Sequence, residues 1–286
     1  MPPSSETRSS PRLFETRPLD GSFGAELTGI DLSAAPTPAV MDALLSAWRQ
    51  HLVLVVRDQH LGPDQLLNLS RAIGKLDLAP AFDQEKSNLD GYPEIAVVSN
   101  VEKEGRAIGG LGHGELAWHS DMTYRREPPV ACALYAVEVP PTGGDTHFLN
   151  MVASREALPS TLETRVKSTR LLHDASYTSA GTRRQPGEGG VTVDHPVITK
   201  DPLSGKECLL LGRRRGSGVV GLDENQGAAL VEDLWHHADR EAFVTTQHWR
   251  SGDLVLWANM AVMHRRDAFD GKQNRILHRA QIARLN

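Results

Sequence analysis

VACALYAVEV (130–139) and DLVLWANM (253–260) are short apolar runs rich in β-branched and aromatic residues, each flanked by Gly, Pro, Asn or Asp. That combination reads as buried strand. IAVVSN (95–100), THFLNM (146–151), LLLG (209–212) and RAQIARL (279–285) carry the same signature. Many short strands with turn residues between them predict a β-sandwich or barrel from about Ile95 onward.

Upstream the pattern changes. TPAVMDALLSAWRQH (37–51) spaces Val40, Met41, Leu44, Leu45 and Trp48 as one helical face, with Thr37 as N-cap and Pro38 at the first helical position. LVLVVRD (52–58) follows as a buried strand, and Pro63 opens a second helix that runs to about Ile73. Two further helical stretches interrupt the strand-rich region: one near Ser154 to Leu158, the other over 223–243, capped by Asp223 and striped by Leu230, Leu234 and Trp235. No internal repeat is visible.

The chain has 286 residues, 40% of them hydrophobic and 23% charged, which is ordinary globular composition. A net charge of -5 gives no electrostatic footprint for nucleic acid, and Arg213-Arg214-Arg215 reads as a solvated basic loop. Cys132 and Cys208 lie in apolar strand-like surroundings, as reduced thiols of a cytoplasmic protein do. There is no run of about 18 apolar residues, so no membrane partner is expected. Residues 1–12 read as a disordered tail, and 13–286 as one domain. The Gly-rich, aperiodic stretch SAGTRRQPGEGGVTVD (179–194) reads as a mobile surface loop or as a lid over a pocket.

Three His-x-Asp/Glu pairs occur among the twelve histidines: His113-Gly-Glu115, His119-Ser-Asp121 and His237-Ala-Asp239. Geometry separates them, because residues i and i+2 share a face on a strand but diverge on a helix. His237 and Asp239 sit in a strong helical pattern and read as a solvated helix face. His113 and Glu115 follow three glycines in a flexible segment. Trp118, His119 and Asp121 belong to an extended stretch, where imidazole and carboxylate can converge on one ion. Two imidazoles and a carboxylate on one face of an ion, with the opposite positions open, make the facial triad of a non-haem Fe(II) oxygenase. His264 at the end of DLVLWANMAVMH can supply the third ligand; His248 and His278 are its rivals on sequence alone.

Beyond these motifs, the chain resembles the taurine / 2,4-dichlorophenoxyacetate dioxygenase family of Fe(II)- and 2-oxoglutarate-dependent oxygenases. The likeness runs in order from about Leu19 to Ile282, through DGSFGAELTGIDLS, HLVLVVRDQHL, AWHSDMTY, VPPTGGDTHFLNM, HPVITKDPLSGKECLLLG and WRSGDLVLWANMAVMHRRDAFDGKQNRILHRAQI. It implies a mainly β fold with flanking helices (α+β), a double-stranded β-helix or jelly roll of cupin-like form. Lid loops near 79–116 and 176–194 would cover one mouth.

The resemblance also implies roles. His119, Asp121 and His264 would bind Fe(II). Arg275 would form the salt bridge to the distal carboxylate of the co-substrate 2-oxoglutarate, with Thr146 beside it, as suits a planar guanidinium and a neighbouring hydroxyl. Gly143 and Gly144 would make a tight turn. Arg279 matches a position that faces the anionic group of the primary substrate; its other reading is a surface arginine paired with an acidic neighbour. Two departures stand out. Ala258 replaces the family's usual Asp in Trp-Asp-Asn, and Glu115 stands where taurine enzymes have a substrate-holding Asn, a place from which its carboxylate would repel a sulfonate.

The implied reaction couples O2-dependent oxidative decarboxylation of 2-oxoglutarate, to succinate and CO2, with C–H hydroxylation of a small anionic substrate, including hydroxylation that triggers cleavage. Desaturation or cyclisation would use the same iron ligands. A cupin-like isomerase, hydrolase or non-catalytic binding barrel would need neither Arg275 nor Thr146. The resemblance also implies a homo-oligomer.

Overall fold

A computed structural model describes residues 13–80, 88–184, 192–213 and 215–286. The expected tail, 1–12, lies outside the described residues, as do Arg214 and parts of both expected lid loops, 81–87 and 185–191.

The helices begin where their caps dictate. In α1, Pro38–His51, the Thr37 side chain accepts from the Val40 N–H and proline occupies the first turn; α2, Pro63–Ile73, likewise starts on proline. The next helix, α3, covers Met151–Glu156, upstream of the expected position, because the Asn150 carboxamide accepts from Val152 and Ala153 and fixes the start there. A short helix, α4 (Ser160–Val166), was not anticipated. α5, Glu224–Ala238, is capped by Asp223 and stops short of the expected end; Glu241–Phe243 is a separate 3-10 turn.

The strands that position the site are β1 (Ala25–Thr28), β2 (Val53–Val56), β3 (Tyr92–Ser99), β4 (Leu116–His119), β5 (Ala131–Glu138), β6 (Thr146–Asn150), β7 (Val244–Gln247), β8 (Leu254–Ala258), β9 (Val262–Arg266) and β10 (Ile276–Leu285). They form two sheets. The larger contains β1-β2-β8-β5-β10-β3 in that order, with short strands at both edges; the smaller is β4-β9-β6-β7. Most neighbours are antiparallel, and β1 with β2 is a parallel pair.

The two sheets face each other. Phe148 of β6 meets Trp257 of β8 with ring centroids 5.9 Å apart, and Trp257 meets His264 of β9 at 5.0 Å. Alternation puts Trp257, Cys132 and Gln281 in one cross-strand row on the inner face of the larger sheet, with Val255, Leu134 and Arg279 in the next. The outer face of that sheet is covered by α1 and α2, whose Leu44, Trp48, Leu66 and Leu69 are fully buried.

One expectation needs correction here. The range 79–116 is not simply loop, since β3 lies inside it with Ile95 to Val98 buried between β10 and the sheet edge. Likewise Thr192–Pro196, at the end of the second expected loop, is a strand paired with Arg170–Asp174.

Trp48 fills the space between α1 and the larger sheet and donates its indole N–H to the Leu52 carbonyl at 3.1 Å. Trp48→Ala should destabilise the chain by about 3–5 kcal/mol, which equilibrium denaturation in urea would register as a lower midpoint.

Candidate metal and co-substrate site

His119 closes β4 and His264 sits in β9, and the two are cross-strand partners in antiparallel register. Their ring centroids are 4.2 Å apart. Asp121 follows two residues after His119, in a turn rather than on the strand itself, and Met122 takes a positive φ of 54° to make that turn. Asn259 holds it: its side-chain oxygen accepts from the Asp121 N–H at 2.8 Å, while its amide donates to the Asp121 carbonyl at 3.0 Å and the Pro129 carbonyl at 2.8 Å.

The result is a buried cluster whose three ligand atoms lie within 4.8 Å of one another. Asp121 Oδ1 is 3.7 Å from His119 Nε2 and 4.0 Å from His264 Nε2. The His119 Nδ1 is 2.8 Å from the Ala117 carbonyl. A carbonyl only accepts, so Nδ1 carries the proton and Nε2 presents a lone pair to the centre. Burial, helped by the neighbouring His264, keeps His119 well below its ordinary pKa; burial likewise brings His264 down to about 4. Both rings are therefore neutral at pH 7, as ligation requires. This donor set fits a ferrous ion with open positions.

The carboxylate is kept ionised from the opposite sheet. Asp121 Oδ2 accepts from Arg279 at 3.0 Å and Gln281 at 3.0 Å, with the Cys132 thiol at 3.5 Å. Burial alone would raise its pKa, but Arg279 and the two imidazoles hold it well below the usual carboxylate range. Oδ2 carries three protein donors and Oδ1 only a longer contact from Arg279 at 3.3 Å, so Oδ1, the oxygen beside both Nε2 atoms, is the one that can face a metal. Burial and the adjacent carboxylate push the Cys132 thiol far up, so it stays protonated and donates.

Arg275 precedes β10 and shares a face with Leu277, Arg279 and Gln281. It is 2% exposed, donates to the Gly144 carbonyl at 3.3 Å, and lies against the rings of Trp249 and Phe269. Gly144 has a φ of 70°, and a β-carbon there would stand 3.2 Å from Arg275 Nε, so the expected Gly143-Gly144 turn also makes room for the guanidinium. Thr146, buried in β6, accepts from the Trp249 indole at 2.9 Å and so joins the same cluster.

A cavity of about 300 Å³ opens beside His119, Asp121 and Arg279. Its other walls include Leu111, Leu116, Met122, Tyr124, Arg184 and Arg213. A second cavity, about 520 Å³, shares His119, Arg213 and residues 178–180 with the first and is bordered by Trp118, Tyr177, Arg265 and Glu115. Glu115 is exposed, directly precedes β4, and borders the second cavity rather than the first.

Other expectations fare variously. The rivals stand apart from the cluster: His248 is exposed and bonded to Asp145 at 2.7 Å, and His278 points to the opposite face of β10 from Arg279. Arg279 is no surface residue; it is 6% exposed, and its acidic neighbour is Asp121 itself. His237 is not on a solvated face, since α5 packs on α3 and the His237 ring bonds the Ser154 carbonyl at 2.8 Å. Arg213 is not a freely solvated loop residue either. It is half-buried, donates to the Tyr177 carbonyl and the Ser179 hydroxyl, and walls both cavities. Gln281 and Asn259 had gone unassigned; the alternation of β10 would have pointed to Gln281, two residues beyond Arg279.

The family model for "Taurine catabolism dioxygenase TauD, TfdA family" matches residues 15–281. Among curated relatives, the alpha-ketoglutarate-dependent 2,4-dichlorophenoxyacetate dioxygenase of Cupriavidus pinatubonensis is 32% identical, over 92% of this chain and 95% of its own. The (S)-phenoxypropionate/alpha-ketoglutarate-dioxygenase of Sphingobium herbicidovorans is 29% identical, over 94% and 95% respectively. The crystal structure of a taurine dioxygenase from Burkholderia xenovorans superposes with a TM-score of 0.78 at 28% identity, covering 95% of this chain and 89% of that one. AAD-2 in complex with Mn(II) and N-oxalylglycine gives 0.80 at 27% identity, covering 96% and 98%. The chain belongs to the TauD, TfdA family and is a 2-oxoglutarate-dependent non-haem iron dioxygenase.

Proposed function

We propose that His119, Asp121 and His264 hold the Fe(II), that Arg275 and Thr146 receive the distal carboxylate of 2-oxoglutarate, and that Arg279 faces the anionic group of the primary substrate. The observation that carries this reading is the cross-strand pair of neutral imidazoles with Asp121 Oδ1 beside both Nε2 atoms. Iron bound there, with 2-oxoglutarate and dioxygen, supplies the coupled decarboxylation and C–H oxidation.

The chain's own residues do the rest. Arg279, Gln281 and Cys132 hold Asp121 as an oriented anion. Trp257 and Phe148 pack against the His264 ring and keep water from its side. Arg275, buried and with its Nε unpaired among the described residues, offers its charge to a carboxylate from solution.

The substrate class follows from the smaller cavity. Arg184, Arg213 and Arg279 line it together with Leu111, Leu116, Met122 and Tyr124, which suits a small organic anion with an apolar body. The named relatives that act on phenoxy acids or sulfate esters are of that kind. Glu115 acts at the second cavity, where its carboxylate disfavours substrates whose anionic end reaches that far.

In the same reading the two facing sheets are the halves of a cupin-like double-stranded β-helix, and 13–286 work as one domain. Segments around Pro80, Leu111 and 178–184, which wall the cavity, serve as its lids. The enzyme is a cytoplasmic homo-oligomer that binds neither nucleic acid nor membrane; a net charge of -5 supports the first of these absences.

Anaerobic addition of Fe(II) and 2-oxoglutarate should give a visible charge-transfer band that Arg275→Ala weakens; no band in the parent chain would refute the co-substrate assignment. His119→Ala should abolish succinate formation at saturating iron, and full turnover by that variant would sink the triad. Asn259→Ala releases the turn that carries Asp121, so Fe(II) affinity should fall about 10–100-fold, measured by metal titration with the fold checked by circular dichroism.

A further inference from the structure

Arg266 lies two residues beyond His264 on β9, and the reading above gives it no task. Side chains two apart on a strand share a face, about 7 Å further along. Register makes the placement specific: Phe148 pairs with His264, and Thr146 pairs with Arg266. Arg266 therefore stands level with Thr146, one step past the metal ligands, a distance that the five-carbon chain of 2-oxoglutarate covers.

Its environment is unusual for a cation. Arg266 is 3% exposed; its Nη2 donates to the carbonyls of Leu111, at 2.9 Å, and Gly114. Among the described residues its Nε and Nη1 have no hydrogen-bond partner, and neither has Arg275 Nε. Both guanidinia lie against one ring, with Cζ 5.4 Å (Arg266) and 5.8 Å (Arg275) from the Phe269 centroid.

Two buried guanidinia with unmet N–H groups are costly, and their mutual repulsion adds to the cost. The nearby acids are otherwise engaged: Asp145 binds His248, and Asp267 binds His147 and Arg265. The missing partner is an anion with at least two acceptor oxygens.

We propose that Arg266 is a second cationic contact for the distal carboxylate of 2-oxoglutarate, acting with Arg275 and Thr146; this rests on the co-substrate reading given under Proposed function. The same guanidinium grips Leu111 and Gly114, and Leu111 and Gly112 wall the substrate cavity. Co-substrate held by Arg266 is thereby tied to the segment that shapes the substrate's wall and leads into β4.

The test is equilibrium binding to the full-length Fe(II) protein without oxygen, read from the visible band. The ligands are 2-oxoglutarate and 2-oxopentanoate, which has the same carbon chain but no distal carboxylate. Arg266→Gln should weaken 2-oxoglutarate by about tenfold or more and leave 2-oxopentanoate unchanged; Arg266→Lys, which keeps the charge and loses the fork, should fall between. Equal weakening of both acids, or of neither, would make Arg266 only a clamp on the Leu111–Gly114 segment and overturn the proposal. If Arg266→Gln does not fold, the ratio of the two affinities in Arg266→Lys decides by the same criterion.

Arg275→Gln separates the two levels. If it leaves the preference for 2-oxoglutarate over 2-oxopentanoate intact, the co-substrate reading itself fails. If it removes that preference while Arg266→Gln does not, only the assignment of Arg266 fails.

Discussion

The site depends on keeping one carboxylate charged in a place that water hardly reaches. Asp121 is 5% exposed, and a lone anion at that depth would take up a proton. It stays ionised because Arg279, Gln281 and Cys132 reach it from the larger sheet, while the neutral rings of His119 and His264 complete the cluster from the smaller. Neither sheet alone can assemble that set. Closing the two sheets on each other is therefore the same event as building the metal cluster, and the Phe148–Trp257–His264 stack is the apolar packing that holds them in contact.

What sequence could and could not tell follows from how far apart the cooperating residues lie. Helix starts at Thr37-Pro38, Pro63 and Asp223 are local events written in caps and first-turn prolines, and they are legible for that reason. Strand order is not. The seating of β5 between β8 and β10, or the parallel pairing of β1 with β2, depends on partners more than a hundred residues away in the first case and on no signal of spacing in either.

The candidate cluster was legible because the His119-x-Asp121 spacing and ordered family likeness picked out His119, Asp121 and His264, although Asp121 lies in the turn after β4 and not on the strand that alternation assumed. Arg213 and His237 were misread as solvated because charge and helical period say nothing about which neighbour will cover them; Tyr177 and Ser179 cover the first, and α3 the second. The inward residues of β10, Arg279 and Gln281, show the reverse case, in which a period of two carries more information than was drawn from it.

One division of labour has a consequence for how such an enzyme changes. His119, His264, Arg279 and Gln281 ride on β4, β9 and β10, where a shift of one residue would turn each inward side chain outward, and Asp121 sits on the turn after β4. Many walls of the smaller cavity, by contrast, come from segments outside β1 to β10, around 111–112, 178–184 and 213. Exchange of residues in those segments can redraw the shape offered to a substrate without touching the oxidising centre. Descendants of one such scaffold can thus diverge in diet while conserving their engine.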